Sequence, residues 1–200
     1  MSAKRRPQHN SKTGRAHGPA PAPSRSARPT LSVRRTGNPG EYELIHPHCA
    51  EQRAEDLEEV HQMIDGGELD IAVDELRWLL NGCPECLEAH KLLGELALSE
   101  GDTRLARAHF GYAFDLGMQA VPVEGLRGTL PFSLPANRGF LTAAKGLALC
   151  LYELHERDRA REVAERLIAA DPTDPLRARD WLSQWPSEDG ERPAQDGAAS

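Results

Sequence analysis

Two hundred residues with a mass of 22.0 kDa accommodate one domain with tails and exclude a large multidomain enzyme. With 39% hydrophobic and 5% aromatic residues, a mean hydropathy of −0.57, 17 Gly and 15 Pro, the chain is too polar to fold from end to end, and part of it is expected to be disordered. The net charge of −7 hides an asymmetry: residues 1–40 carry nine Lys or Arg and no acid, so every one of the 31 acidic residues lies after them.

Residues 1–40 hold six prolines and four glycines, with Leu31 and Val33 nearly their only large apolar side chains. Such a segment buries too little to offset its ordering entropy, and it is expected to be a basic disordered arm. It contains no signal-peptide core, and no 18-residue apolar run occurs anywhere. A soluble, cytoplasmic chain without a membrane segment is expected. Four cysteines (Cys49, Cys83, Cys86, Cys150) are too few for a disulfide scaffold, and in a reducing compartment they are expected to be thiols.

The body repeats itself at a period of 34 residues. Residues 53–86 laid over 87–120 superpose Gly67 on Gly101, Ala72 on Ala106 and Leu76 on Phe110. A third copy fits 141–174, with Ala160, Ala164 and Pro172 in the matching places. Within the middle copy, Leu92, Leu93, Leu96 and Ala97 mark one apolar helix face, and Leu105, Ala106, Ala108, Phe110, Ala113 and Phe114 mark another. Glu100, Gly101 and Asp102 between them read as a turn with glycine at a left-handed position.

In this register the chain resembles the tetratricopeptide repeat family, a helix, turn, helix unit of 34 residues. The middle copy carries the resemblance best, through Leu93, Gly94, Ala97, Gly101, Ala106, Phe110 and Ala113, with Met118 where Pro is usual. The first copy keeps Gly67, Ala72 and Pro84 but has Glu59 and Val60 in place of Leu and Gly. The third keeps Leu147, Ala148, Leu151, Ala160, Leu167, Asp171 and Pro172 but has His155 in place of the turn glycine. The resemblance implies an all-α, right-handed solenoid of three helical hairpins. Small residues, Gly94 opposite Ala106 and Ala148 opposite Ala160, would allow close crossing within the hairpins.

Residues 121–140 interrupt the array. They hold Pro122, Pro131 and Pro135 yet remain apolar, and they read as a packed insertion that could act as a lid, with Asn137 capping a helix that starts near Arg138. Residues 175–185 supply a capping helix, with Pro175 in its first turn and Leu176, Trp181, Leu182 and Trp185 closing the last open face. Residues 186–200 read as a second disordered tail.

The resemblance further implies a concave surface lined by the first helix of each pair. The candidate partner-binding residues on it are Leu57, His61, Glu88, Lys91, Glu95, Lys145, Leu149 and Tyr152, and its acidic residues outnumber its lysines. Family members that grip the C-terminal carboxylate of chaperones use Lys, Asn and Arg at positions that here are Leu57, His61, Leu92, Thr142 and Gly146. None matches, so that ligand is rejected. The expected function is that of an adaptor or scaffold holding an extended peptide or helix, its partner an unidentified protein or peptide for which the acidic groove favours a basic one. The alternative is a nucleic-acid-associated protein tethered through residues 1–40, whose charge suits phosphate but whose sequence lacks aromatic interleaving. That basic arm could equally visit the acidic body of its own chain.

His46, His48 and Cys49, together with the Cys83 and Cys86 pair, supply zinc ligands on paper. The repeat already accounts for Pro84 between the two cysteines, so no metal is assigned. No phosphate loop, nucleophile elbow or HExxH motif is present, and no catalytic residue or cofactor is expected.

Overall fold

A computed structural model describes residues 31–122 and 125–185. Most of the predicted basic arm and all of the polar C-terminal tail therefore lie outside the described residues. Within them the chain is mostly helical, with one β-hairpin that the all-α expectation did not include.

The hairpin consists of β1 (Ser32–Arg35) and β2 (Tyr42–Ile45), antiparallel, with Val33 opposite Leu44 and Arg34 opposite Glu43. The alternation sorts its faces. Leu31 and Leu44 are buried and Val33 and Tyr42 pack beside them, while Arg34 and Glu43 form an outward ion pair at 2.6 Å. Gly40, at φ 78°, permits the return between the strands. Residues 31–40 thus belong to the folded body, because four apolar side chains at period two find a helical surface to cover.

After the short α1 (His48–Glu51), six longer helices pair as hairpins: α2 (Ala54–Asp65) with α3 (Leu69–Gly82), α4 (Leu87–Ser99) with α5 (Thr103–Ala120), and α6 (Pro135–Glu153) with α7 (Arg157–Ala170). The turns between partners carry a left-handed residue each time: Gly67 at φ 78°, Gly101 at 81° and His155 at 62°. Asp102 caps α5 by accepting the Leu105 amide at 2.9 Å. Lacking a proline at Met118, α5 continues to Ala120 before Pro122.

Close approach between helices centres on Phe110. Its ring lies between Gly94 of α4 and Gly146 of α6, and the atoms nearest to Gly94 are those of Phe110, one turn beyond Ala106 on α5. Ala106, Ala148 and Ala160 are all fully buried.

The insertion is shorter than expected, because α6 begins at Pro135 and not near Arg138. Asn137 is no cap. It is buried inside the first turn of α6, where its Oδ1 accepts the Leu44 amide at 2.9 Å and its Nδ2 donates to the carbonyls of Tyr42 and Pro131 at 3.0 and 3.1 Å. One side chain thereby fastens β2 to the helical body. Thr129 exchanges backbone hydrogen bonds with Gly40 and Tyr42, and Leu130 donates to the Ala170 carbonyl at 2.7 Å.

At the far end, α8 (Ala178–Gln184) starts three residues after Pro175. Arg177 before it is left-handed, and Asp174 accepts the Ala178 and Arg179 amides at 2.7 and 3.0 Å. Leu176, Trp181, Leu182 and Trp185 pack against the main apolar cluster, as the sequence predicts.

Cys49 and Cys83 form a disulfide, which contradicts the expectation of four thiols. The bond joins α1 to the end of α3 and closes a 34-residue loop. Cys86 and Cys150 are free and buried.

Candidate functional site

The first helices of the three pairs, α2, α4 and α6, carry all eight candidate residues: Leu57 and His61, then Glu88, Lys91 and Glu95, then Lys145, Leu149 and Tyr152. Spacings of three and four residues stack Glu88, Lys91 and Glu95 on one face of α4. Lys91, with only 13% of its side chain exposed, lies 2.7 Å from Glu88 and 3.5 Å from Glu95. From α2, His61 Nε2 reaches to 3.8 Å from Glu88. Burial raises the Glu95 carboxyl above its ordinary range, Lys91 pulls it back down, and Glu88 adds a smaller push upward.

Not every candidate joins this network. Leu149 and Tyr152 pack partly into the main cluster, and Trp185 stacks on Tyr152 with ring centroids 4.6 Å apart, so the C-terminal cap covers that end of the face. Lys145 is half-buried on α6, apart from the four-residue network. At the other end, Leu57 and Glu88 line a recess of about 220 Å³ together with His46, Ala50, Glu51, Cys86 and the first turn of α6. The segment His46–Glu51 forms a strap along its edge, held by His46 Nε2 donating to the Ala136 carbonyl at 2.9 Å.

The described part of 121–140 is fastened elsewhere. Besides the bonds to Gly40, Tyr42 and Ala170, the Phe132 amide donates to Asp171 at 2.8 Å, tying the stretch to the end of α7. Among the described residues, the strap, Trp185 and, from this segment, Pro135, Ala136 and Gly139 of α6 border the candidate face, whereas Phe132 and the described residues before it are held away from the recess.

A second face escaped the sequence reading. Among the described residues, Ile71, Trp78, Leu105 and Tyr112 are the exposed large apolar side chains, and all four lie on the second helices α3 and α5. Clefts of about 330 and 530 Å³ run between α3 and α5 and between α5 and α7. Arg53 lies over the Trp78 ring at 4.5 Å. Beside Tyr112, His90 and His109 face each other through Nδ1 atoms 3.4 Å apart, and His90 Nε2 donates to the Pro84 carbonyl at 3.0 Å. The Pro84 carbonyl can only accept, so neutral His90 carries its proton on Nε2 and accepts from His109 through Nδ1. Burial lowers both imidazole pKa values. Ile71, Trp78 and Tyr112 lie outside the repeat's packing positions, whereas Leu105 and Ala108, expected on the apolar face of α5, are exposed, because that face is narrower than the apolar residues that mark it and is filled by Ala106, Phe110, Ala113 and Phe114.

The two sequence clusters considered for zinc do meet, through the Cys49 and Cys83 bond, which consumes two of the thiols a metal would need. His48 is exposed and lies 3.6 Å from Glu51. Of the basic residues assigned to the arm, Arg34 pairs with Glu43 and Arg35 lies over Tyr42, while the seven before residue 31 fall outside the described residues. No helix among the described residues is long and apolar enough to cross a membrane.

Compared with known protein families and with curated proteins, the chain matches none.

Proposed function

We propose that this chain is a non-enzymatic, tetratricopeptide-like repeat module, a right-handed solenoid that binds a basic, extended or helical segment of another protein across α2, α4 and α6. The observation that carries the reading is the concentration of acid at one end of the helical body. Residues 41–102 hold seventeen Asp or Glu against three Lys or Arg, whereas residues 103–185 are nearly balanced. On the candidate face this acid is partly exposed at Glu88 and Glu95 and adjoins the recess at Leu57. A cationic ligand gains from that field and an apolar side chain from the recess. The left-handed residue recurring between helix partners, Gly67, Gly101 and His155, supports the repeat register, since its last member falls where the family places glycine.

The test is peptide selection from a random display library on the full chain, compared with a Glu88→Lys, Glu95→Lys variant. Enrichment of Lys- and Arg-rich sequences that lose at least tenfold in affinity for the variant supports the reading. Sequences that bind both chains equally, or that are acidic, overturn it.

A further inference from the structure

Three of the four cysteines meet at one place. Cys49 is bonded to Cys83 with Cα atoms 5.6 Å apart, and Cys86 follows across the turn Cys83, Pro84, Glu85, Cys86, which closes with the Cys86 amide donating to the Cys83 carbonyl at 3.0 Å. A turn closed in this way brings its first and fourth Cα atoms within about 7 Å. A disulfide spans Cα separations of roughly 4.4–6.8 Å. The turn thus holds Cys86 close to Cys83 in addition to the bonded Cys49, and Cys83 can bond only one sulfur at a time. Cys83 and Cys86 are both buried in the apolar cluster against which Cys49 packs, whereas Cys150 belongs to the other cluster and takes no part.

Cys86 is 1% exposed, so an exchange through it needs the strap beside it to open. It is the N-cap of α4, where the first amides of a helix have no intrahelical acceptor, and its side chain makes no cap hydrogen bond. Burial raises the Cys86 thiol pKa above its ordinary value and the Glu88 charge adds to this, while the Ala89 and Glu88 amides work against it.

We propose that Cys86 is an exchange thiol and Cys83 the shared partner of two mutually exclusive disulfides. Cys86 gives up its proton to solvent, and its thiolate attacks Cys83 Sγ. The Cys83 to Cys86 bond forms as the Cys49 to Cys83 bond breaks, and the electron pair leaves on Cys49 Sγ, which takes a proton from water. Nothing is oxidised or reduced overall. The product replaces a crosslink around 34 residues by one across a single turn. It frees α1, and with it the strap His46–Glu51 that borders the recess at Leu57 and Glu88. The exchange stands on the sulfur geometry alone and does not depend on peptide binding.

The test treats the full-length Cys49→Ser chain with oxidised glutathione, quenches with acid and maps the cysteines by mass spectrometry. The expected result is a Cys83 to Cys86 disulfide with loss of the glutathione adduct, while the Cys49→Ser, Cys86→Ser chain retains glutathione on Cys83. In the unaltered oxidised chain, a trace of reduced glutathione should yield a fraction with Cys49 alkylated and Cys83 bonded to Cys86. If the Cys49→Ser chain keeps native helicity but holds its adduct as long as the double variant, Cys86 does not reach Cys83 and the proposal fails. It fails equally if the unaltered chain shows only the Cys49 to Cys83 bond after that treatment.

Discussion

A Cβ atom on Gly146 would sit 2.6 Å from Cε2 of Phe110, and one on Gly94 would sit 2.6 Å from Cε1 of the same ring. Phe110, 1% exposed, is thereby held between α4 and α6 by two residues that each forgo helix propensity, about 1 kcal/mol relative to alanine. Gly146→Ala should destabilise the fold by about 1–3 kcal/mol, since the propensity gain is outweighed by overpacking. Phe110→Leu in the same chain should recover part of the loss, so the two changes are not additive in a denaturant-unfolding cycle.

Asn137 satisfies three backbone groups, two on β2 and one in the stretch before α6, so its loss should cost more than a surface change. Asn137→Leu leaves the Leu44 amide and the Tyr42 and Pro131 carbonyls without this partner. A loss of about 3 kcal/mol is expected by urea denaturation, with rapid amide exchange at Leu44.

His155 occupies the left-handed position that glycine fills at residues 67 and 101. Since that conformation costs a side-chain-bearing residue roughly 1–2 kcal/mol, part of which glycine's extra unfolded-state freedom cancels, His155→Gly should stabilise by about 0.5 kcal/mol. Gly101→Ala should destabilise by about 1 kcal/mol, and thermal unfolding of the two variants should shift in opposite directions.

His90 and His109 set a pH dependence. Both are depressed in the fold, chiefly by burial, so the unfolded chain binds more protons once pH falls below the ordinary imidazole value of 6.5. Their contribution is present above that value and is lost as pH falls through the lowered folded values. Stability should therefore drop between pH 7 and pH 5, and His109→Gln should flatten that drop in urea midpoints measured at each pH.

The helical pairs were legible because their signal is local. Apolar spacing, Gly67 and Gly101 in the turns, and small residues at 34-residue intervals mark the elements without knowledge of the fold. The β-hairpin was hidden by its surroundings, since Leu31 and Val33 end a proline-rich basic stretch and gain their burial from tertiary packing, with β1 against α5 and β2 against α6. Asn137 read as a cap because a short polar side chain before an apolar run fits one; its three acceptors and donors lie up to 95 residues away. The disulfide depends on α1 reaching the end of α3, a contact no spacing rule supplies. For the candidate face, Glu88, Lys91 and Glu95 are named through the resemblance, and their pairing on α4 follows from spacings of three and four residues. The stacking of Trp185 on Tyr152 and the strap beside Leu57 required the tertiary arrangement.

The proposed binding face is tested most directly by amide hydrogen exchange on the full chain, with and without a saturating Lys- and Arg-rich peptide from the display selection. Protection is expected in α2, α4 and the first half of α6, reduced by added salt and absent in the Glu88→Lys, Glu95→Lys chain. Protection confined to α3, α5 and α7, around Ile71, Trp78, Leu105 and Tyr112, would contradict the assignment and place the binding surface on the opposite helices.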